Sequence, residues 1–242
     1  DENIGIGKSA MRVITSGSDN TAVGVDALLA NTSGSNNISI GNESLSSNTQ
    51  GGRNTAVGFK AMYLNETGQR NAAFGYASGK SGSYNASFGA YGLTAVTGSN
   101  NTALGYYAGA SSGSNNAITS GTNNVVSGHN SGVEEADAVN RIVIGKDASG
   151  LDDNTVTLGN TDITAWVPAD DGGVDLGSSS KEMKDIYVDG IAYIDALDFG
   201  GSPLALPGST GSNGNILKNN GDGTLAWTTN VSGASDIGTL SD

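Results

Sequence analysis

Grouped carboxylates are the side chains of this chain best suited to acid–base chemistry. Paired carboxylates hydrolyse glycosidic bonds, and acidic turns can hold Ca²⁺, although no EF-hand spacing of ligands occurs here. Each group lies in a polar, turn-rich stretch, so we interpret all of them as solvated acidic turns and predict no catalytic residue, no metal and no cofactor. The groups are Glu134-Glu135-Asp137, Asp152-Asp153 and Asp170-Asp171-Asp175.

Two further patterns imitate catalytic or nucleotide-binding motifs. His129 is the one histidine of a chain without cysteine, so a usual zinc site is not available, and a catalytic triad would need all its geometry from loops. We interpret His129 as an exposed turn residue. The segment from Gly5 to Ser9 imitates the end of a phosphate-binding loop, but Glu2 stands where that motif requires its first glycine. We attribute this match to the repeat described below.

Aromatic residues give the clearest indication of a binding surface. An exposed tyrosine can stack on a sugar and hydrogen-bond to its hydroxyl groups. The alternative is that these rings cover a thin core or an interface between chains. The candidates for glycan contact are Tyr84, Tyr91, Tyr106 and Tyr107.

A repeated five-residue phrase must position these side chains. It begins with Asn and ends with Gly, as in Asn20-Thr-Ala-Val-Gly24, and the first four steps, from Gly7 to Gly75, are each 17 residues. Looser copies continue to Thr155-Val-Thr-Leu-Gly159. A fixed period of this size indicates a solenoid. We predict an all-β fold, a parallel β-roll or β-solenoid of short 14–17-residue coils.

Alternation within each phrase divides its side chains between two faces. We expect the large apolar residues to form the core of the roll and the tiny residues between them to face another chain near a symmetry axis. The predicted roll core is Val23, Ile38, Ile40, Val57, Phe74, Phe88, Leu104, Ile142, Ile144, Val156 and Leu158. The predicted packing face between chains is Ala22, Ser39, Ala56, Ala73, Ser87 and Ala103.

A second short apolar stretch and a polar loop complete each coil. Stretches such as Ala27-Leu28 and Ala61-Met62 are predicted to be return strands. The asparagine that opens each phrase permits two interpretations, a hydrogen-bonded ladder of stacked amides or a simple turn preference. It recurs at Asn20, Asn37, Asn54, Asn71, Asn85, Asn101, Asn116 and Asn124.

Composition favours association between chains. Gly, Ala and Ser dominate and large side chains are few, so a single rod of thin coils would bury little surface. The net charge of −13 argues against binding to nucleic acid or anionic lipid. No stretch has the length and apolar character of a membrane helix, so we expect no membrane insertion.

The periodicity divides the chain into three parts. Residues 1–165 form the β-roll repeat region, residues 166–200 a collar or connector, and residues 201–242 a C-terminal hairpin module. In that module, Asn219-Asn-Gly-Asp-Gly223 between two apolar stretches predicts a β-hairpin. Because the chain opens at Asp1 without an initiator methionine, we expect it to be a piece of a longer protein.

The phrase Asn-Thr-Ala-Val-Gly with a following Ala-Leu resembles the head repeats of trimeric autotransporter adhesins (YadA-like). With polar loops such as Asn31-Thr-Ser-Gly-Ser-Asn36, it resembles more closely the repeats of bacteriophage tail fibre proteins. Two C-terminal segments also look like recurring tail-fibre segments. They run from Leu176 to Gly190, where an aromatic residue more often stands in place of Met183, and from Gly214 to Trp227.

This resemblance covers most of the chain and implies a homotrimeric, left-handed parallel β-roll followed by small β-rich C-terminal modules. The implied role is structural and adhesive, in a virion tail fibre that attaches to a host surface without catalysis. The implied partners are the other copies of the chain, other virion tail proteins and a host-surface glycan or protein. The alternative is the head domain of a bacterial trimeric surface adhesin at the cell surface. Polysaccharide depolymerisation is a third hypothesis.

Overall fold

The structure, a computed structural model, describes residues 2–110 and 117–167, together with residues 176, 178, 180–181, 183–187, 196–198, 203–205, 215–219 and 225–229. These residues form strands, bridges and turns, and none of them is helical. The chain divides into two compact units, Asp1–Val167 and Pro168–Asp242. The finer division at residue 200 stays a prediction.

The first unit is a parallel β-solenoid, which confirms the predicted architecture. Each copy of the phrase contributes one strand to a ten-stranded parallel sheet in the order β1 to β8, β10, β12. β9 and β11 form a separate parallel pair. The strands are β1 (Ile4–Ile6), β2 (Thr21–Val23), β3 (Ile38–Ile40), β4 (Thr55–Val57), β5 (Ala72–Phe74), β6 (Ala86–Phe88), β7 (Thr102–Leu104), β8 (Val125–Ser127), β9 (Gly132–Val133), β10 (Ile142–Ile144), β11 (Ser149–Gly150) and β12 (Val156–Leu158).

The glycine that ends each phrase is required by the stacking of the coils. Gly24 has a φ of 138°, a region that side chains rarely enter. A Cβ on Gly24 would also lie 2.6 Å from the carbonyl carbon and oxygen of Gly41 in the next coil. Both constraints repeat along the solenoid, which explains the invariance of this position within the repeat.

The interior of each early coil pairs a tiny strand residue with a large residue from the following turn. Ala22 and Ala56, at the centres of their strands, are fully buried, as are Leu28 and Leu45. The space between the strand and the following turn is small, because a Cβ placed on Gly5 of β1 would lie only 3.1 Å from Cε of Met11 in the turn. A wider strand residue would therefore not fit.

The predicted assignment of the two strand faces is wrong. The tiny residues Ala22, Ser39, Ala56, Ala73, Ser87 and Ala103 are buried inside a single chain, with at most 1% exposure. The predicted roll-core residues instead point outward; Val23 and Val57 are half-buried, and Ile38, Ile40, Phe74, Phe88, Leu104, Ile142, Ile144, Val156 and Leu158 are exposed. The physical reason is that the turn residues already fill the narrow interior.

The return stretches are turns in the early coils, so the predicted return strands are also wrong. Leu28 and Met62 adopt left-handed φ values of 51° and 52°, and coil-to-coil bonds such as Leu28 N–H to the Ser44 carbonyl (3.0 Å) hold them. β9 and β11 occupy this side of the later coils. In these later coils the large residue lies on the main sheet and the small residue lies on the return side. A Cβ on Gly150 would lie 2.6 Å from Cγ2 of Val143 on the main sheet.

The second unit contains two antiparallel pairs. β13 (Ala196–Asp198) pairs with β14 (Pro203–Ala205). β15 (Asn215–Asn219) pairs with β16 (Leu225–Thr229), with Leu217 opposite Trp227, which confirms the predicted hairpin pairing. The central turn residues 220–223 lie outside the described residues.

Candidate functional site

The outward side of the ten-stranded sheet, here the outer sheet face, is an apolar surface. It consists of the first and third residue of each strand, and none of these residues is charged. Ile40 and Ile144 are 41% and 44% exposed, and the values rise to 60% at Val156. The larger apolar members are Ile4, Ile6, Val23, Ile38, Ile40, Val57, Phe74, Phe88, Leu104, Val125, Ile142, Ile144, Val156 and Leu158.

Aromatic rings from successive coils form a continuous row beside the turn that follows each strand. Four of its members directly follow the glycine of their phrase, and two lie one residue later. Each ring centroid lies 4.6–5.4 Å from the next. This aromatic row consists, in order, of Phe59, Tyr76, Tyr91, Tyr107, Tyr106 and His129.

The aromatic row presents both ring surface and hydroxyl groups to solvent. Tyr76 and Tyr106 are each nearly half exposed. The pKa of Tyr91 is raised above its ordinary value, first by the side-chain hydrogen bond with Tyr76 and then by desolvation and by charge interactions with the neighbouring tyrosines. A row of this kind can stack on sugar rings and hydrogen-bond to their hydroxyl groups.

The four tyrosines predicted to contact glycan do not form one cluster. Tyr91, Tyr106 and Tyr107 lie in the aromatic row. Tyr84 instead precedes its strand and pairs with Arg70, whose guanidinium lies 5.2 Å from the ring centroid and donates to the phenol oxygen. The sequence signal for Phe59 and His129, which were not among the candidates, is their shared position after the phrase glycine.

The phrase asparagines form the stacked amide ladder. Asn37 Nδ2 donates to Oδ1 of Asn20 (3.0 Å) and to the Gly51 carbonyl (2.9 Å), and its backbone N–H donates to the same Oδ1 (2.9 Å). Between Asn71 and Asn85 only the backbone bond is present among the described contacts. The ladder joins Asn3, Asn20, Asn37, Asn54, Asn71, Asn85, Asn101 and Asn124, and Asn116 lies outside the described residues.

A second, shorter amide ladder lies in the loops. Asn48 Nδ2 donates to Asn31 Oδ1 (3.0 Å), and Asn65 Nδ2 donates to Asn48 Oδ1 (2.9 Å). The ladder stops there, and Asn65 Oδ1 is buried without a hydrogen-bond partner among the described residues. The stop coincides with the shortest early coil, because 14 residues rather than 17 separate Gly75 from Gly89.

Two of the acidic groups contribute to one ion-pair cluster. Arg141, 4% exposed, follows Asn124 on the main ladder and binds Glu135 (2.7 Å) and Asp153 (2.8 Å). Burial opposes the charge of Arg141, but the hydrogen bonds to these carboxylates prevail and raise its pKa. The Val139 N–H and then Arg141 lower the pKa of Asp153. Both carboxylates are therefore bound to a buried cation.

The remaining candidate motifs occupy ordinary positions. His129 is exposed, as predicted, and stacks on Tyr106 at 5.4 Å. Within the part of the chain that the structure describes, no three His, Asp or Glu residues are grouped so that they could hold a metal ion, and no helix there could cross a membrane. The acidic group at Asp170, Asp171 and Asp175 lies outside the described residues.

A polar groove opens at the short coil. Its volume is about 640 Å³, and its lining includes Glu66, Thr67, Lys80, Ser81, Ser83 and Thr97. The lining comes from the loops before and after the missing three residues, so the groove is a local interruption of the stacked loops. The 14-residue step was visible in the sequence, but the opening that it leaves was not predicted.

Comparison with family models, with curated proteins and with solved structures finds no match to this chain.

Proposed function

We propose that the chain is a structural and adhesive segment of a trimeric phage tail fibre, which attaches to a host surface and performs no catalysis. The single observation that carries this proposal is the outer sheet face. This long uncharged surface is apolar except at Thr21, Thr55, Thr102 and Ser127. Such a surface is uncommon on a monomeric soluble protein and marks an interaction surface.

The outer sheet face fits further copies of the same chain. Nine inter-strand steps of about 4.8 Å give it a length of roughly 43 Å. Its two outward positions per strand carry no charge, although the whole chain has a net charge of −13. Association through this face therefore buries apolar surface while the charged groups stay in solvent.

Three copies are proposed because the face is long and narrow. Only three residues of each coil belong to the strand, a width of about 10 Å. Three such faces can converge on one axis, with each chain forming one wall of a shared core. The resemblance to tail-fibre repeats supports the same stoichiometry.

Attachment would then be multivalent. Each chain presents one aromatic row, from Phe59 to His129, so a trimer presents three copies of it. Simultaneous weak contacts raise the overall affinity far above that of one contact. The proposed partners are a host-surface glycan or protein and the other proteins of the virion tail.

The resemblance also permits the head domain of a bacterial trimeric surface adhesin. Both proposals use the same shared core. A membrane-anchoring barrel in the full-length gene would favour the adhesin at the bacterial surface, and a virion-attachment segment would favour the tail fibre.

Charge placed on the outer sheet face tests the shared core. We expect Ile40→Glu combined with Ile144→Glu to yield chains of monomer mass by light scattering, because burial of two carboxylates in an apolar interface is costly. The matched control is Ser33→Glu with Ser120→Glu, two exposed positions outside the face, which add the same two charges and should leave the mass unchanged. A trimer that persists in the double outer-face variant would refute the proposed interface.

A further inference from the structure

The groove at the short coil interrupts a regular pattern of loop hydrogen bonds. In the regular loops, two successive N–H groups converge on one carbonyl oxygen of the next coil. Thr32 and Ser33 donate to the Thr49 carbonyl at 2.9 and 3.1 Å. Thr49 and Gln50 repeat the arrangement with the Glu66 carbonyl at 2.8 and 3.2 Å.

The next step of the pattern is missing. Counting back from the phrase asparagine, Glu66 and Thr67 are the two donors and the Lys80 carbonyl is the corresponding acceptor. These three groups are the Glu66 N–H, the Thr67 N–H and the Lys80 carbonyl. None of the three has a hydrogen-bond partner among the described residues. The shortened coil, which lacks counterparts of Tyr63, Leu64 and Asn65, separates the loops at this point.

A second, independent observation lies at the same place. Asn65 is fully buried between the lining residues Leu64 and Glu66, and its Oδ1 is left without a partner among the described residues. In the two preceding coils this oxygen accepts from the asparagine of the next coil. A buried polar atom without a partner is costly, so the short coil is maintained against a cost in stability.

The groove combines two backbone N–H donors, which can share one acceptor oxygen, with a lining rich in hydroxyl groups. The N–H groups of Glu66 and Thr67 are the counterparts of two donor pairs that each converge on a single carbonyl oxygen in the preceding coils. Lys80 adds a cation to the lining, and Thr67, Ser81, Ser83 and Thr97 add hydroxyl groups. Glu66 is also a lining residue, so an anionic ligand depends on the N–H donors and on Lys80 to offset the Glu66 charge.

We propose that this groove binds an acidic saccharide. A carboxylate oxygen of the sugar takes the place of the missing carbonyl and accepts from the N–H groups of Glu66 and Thr67, with Lys80 as its counter-ion. The sugar hydroxyl groups bond to the wall and donate to the free Lys80 carbonyl. A volume of about 640 Å³ is within the range of small-molecule sites and exceeds the needs of a carboxylate alone.

This inference specifies the ligand class for the proposed attachment function, but it depends only on one chain. The oligomer mass and the occupancy of the groove are measured separately. A monomeric chain that binds the sugar would refute the proposed trimer and leave the groove assignment standing. A trimer that ignores the sugar would do the reverse.

Amide NMR of the full chain with millimolar galacturonate, glucuronate or N-acetylneuraminate tests the proposal directly. We expect one or more of these sugars to shift the amide signals of Glu66 and Thr67 downfield. Galactose and glucose, which lack the carboxylate, should shift them less, and acetate, which lacks the hydroxyl groups, should bind more weakly than the acidic sugars. If none of the three acidic sugars shifts these two signals, the proposal is wrong.

Two variants make the test specific. Inserting Tyr-Leu-Asn after Gly79 restores a 17-residue coil and closes the groove; we expect it to abolish sugar binding while raising thermal stability, because the second amide ladder gains a member. Lys80→Gln should weaken binding of the acidic sugar about tenfold, as expected for loss of one charge-assisted bond. Equal binding by the inserted and the unmodified chains would overturn the proposal.

Discussion

Asn37 and Asn20, seventeen residues apart, are joined inside the coil by a side-chain hydrogen bond of 3.0 Å from Nδ2 to Oδ1. The same Asn37 side chain accepts from the backbone N–H and from Nδ2 of Asn54 at 3.0 and 3.1 Å. One asparagine therefore satisfies polar groups of the coil before it and the coil after it. The 17-residue period is fixed by these contacts as well as by the sheet.

We expect Asn37→Ala to lower the free energy of unfolding by about 2–6 kcal/mol, because it leaves two buried donors of Asn54 unpaired at about 1–3 kcal/mol each. Thermal or denaturant unfolding monitored by circular dichroism measures the change. Ser33→Ala, an exposed polar substitution in the adjoining loop, should change it little. Equal stability of the two variants would contradict the proposed role of the ladder.

The burial of the tiny strand residues inside one chain, rather than between chains, gives a second prediction. Ala56→Leu should destabilise the folded coil itself by about 1–3 kcal/mol through overpacking, because Ala56 is fully buried inside one chain. Thr55→Leu, on the same strand but on the outer sheet face, should be tolerated. Loss of assembly without loss of folding in Ala56→Leu would instead restore the original assignment of Ala56 to a chain interface.

The sequence predicts where the strands of the coils lie, but not which face of each strand is buried. The phrase glycines and the alternation located every strand of the main sheet. The usual preference for large apolar residues inside then placed Ile38 and Ile40 in the core. That preference fails because Leu45, in a left-handed turn conformation, already fills the space opposite Ser39 and its neighbours. No property of the strand alone reveals this.

The candidate surfaces were predictable to different degrees. The tyrosines are candidates for sugar contact from the sequence alone, but their grouping depends on turn geometry, which brings Tyr91 and Tyr107 to 4.7 Å and leaves Tyr84 with Arg70. The amide ladder was one of two open interpretations, since the amide orientation that decides between them exists only in the stacked coils. The groove results from the three residues that the short coil lacks, so no residue type in the sequence indicates it.

Acid should weaken the Arg141 cluster. Because the pKa of Asp153 lies below its ordinary value of 3.8 in the folded chain, its ionised form favours folding, and this contribution is present above that value and lost as the pH falls through the lower, folded pKa. We expect Asp153→Asn to lower the melting temperature at pH 7 and the difference from the unmodified chain to shrink towards pH 2.

The neighbouring Asp152 provides the control for this titration. Its carboxylate makes no ion pair among the described residues, so Asp152→Asn should leave the melting temperature nearly unchanged at both pH values. A constant difference between Asp153→Asn and the unmodified chain from pH 7 to pH 2 would show that the carboxylate charge is not what stabilises the cluster.

The aromatic row predicts how attachment depends on tyrosine. Tyr91→Ala and Tyr106→Ala should each weaken binding of the labelled chain to bacterial surface polysaccharide about 3- to 10-fold, because each removes one stacking ring. Tyr63→Ala, a half-buried ring outside the row, should have little effect. If all three variants bind equally well in a glycan array, the row is not the contact surface.

The central claim is that the outer sheet face is covered by further copies of the chain. Light scattering of the unmodified protein across a dilution series tests it most directly. We predict a mass of about 72 kDa, three times the chain mass of 24.1 kDa, that does not change on dilution. A folded species of 24.1 kDa, with its apolar face open to solvent, would contradict it.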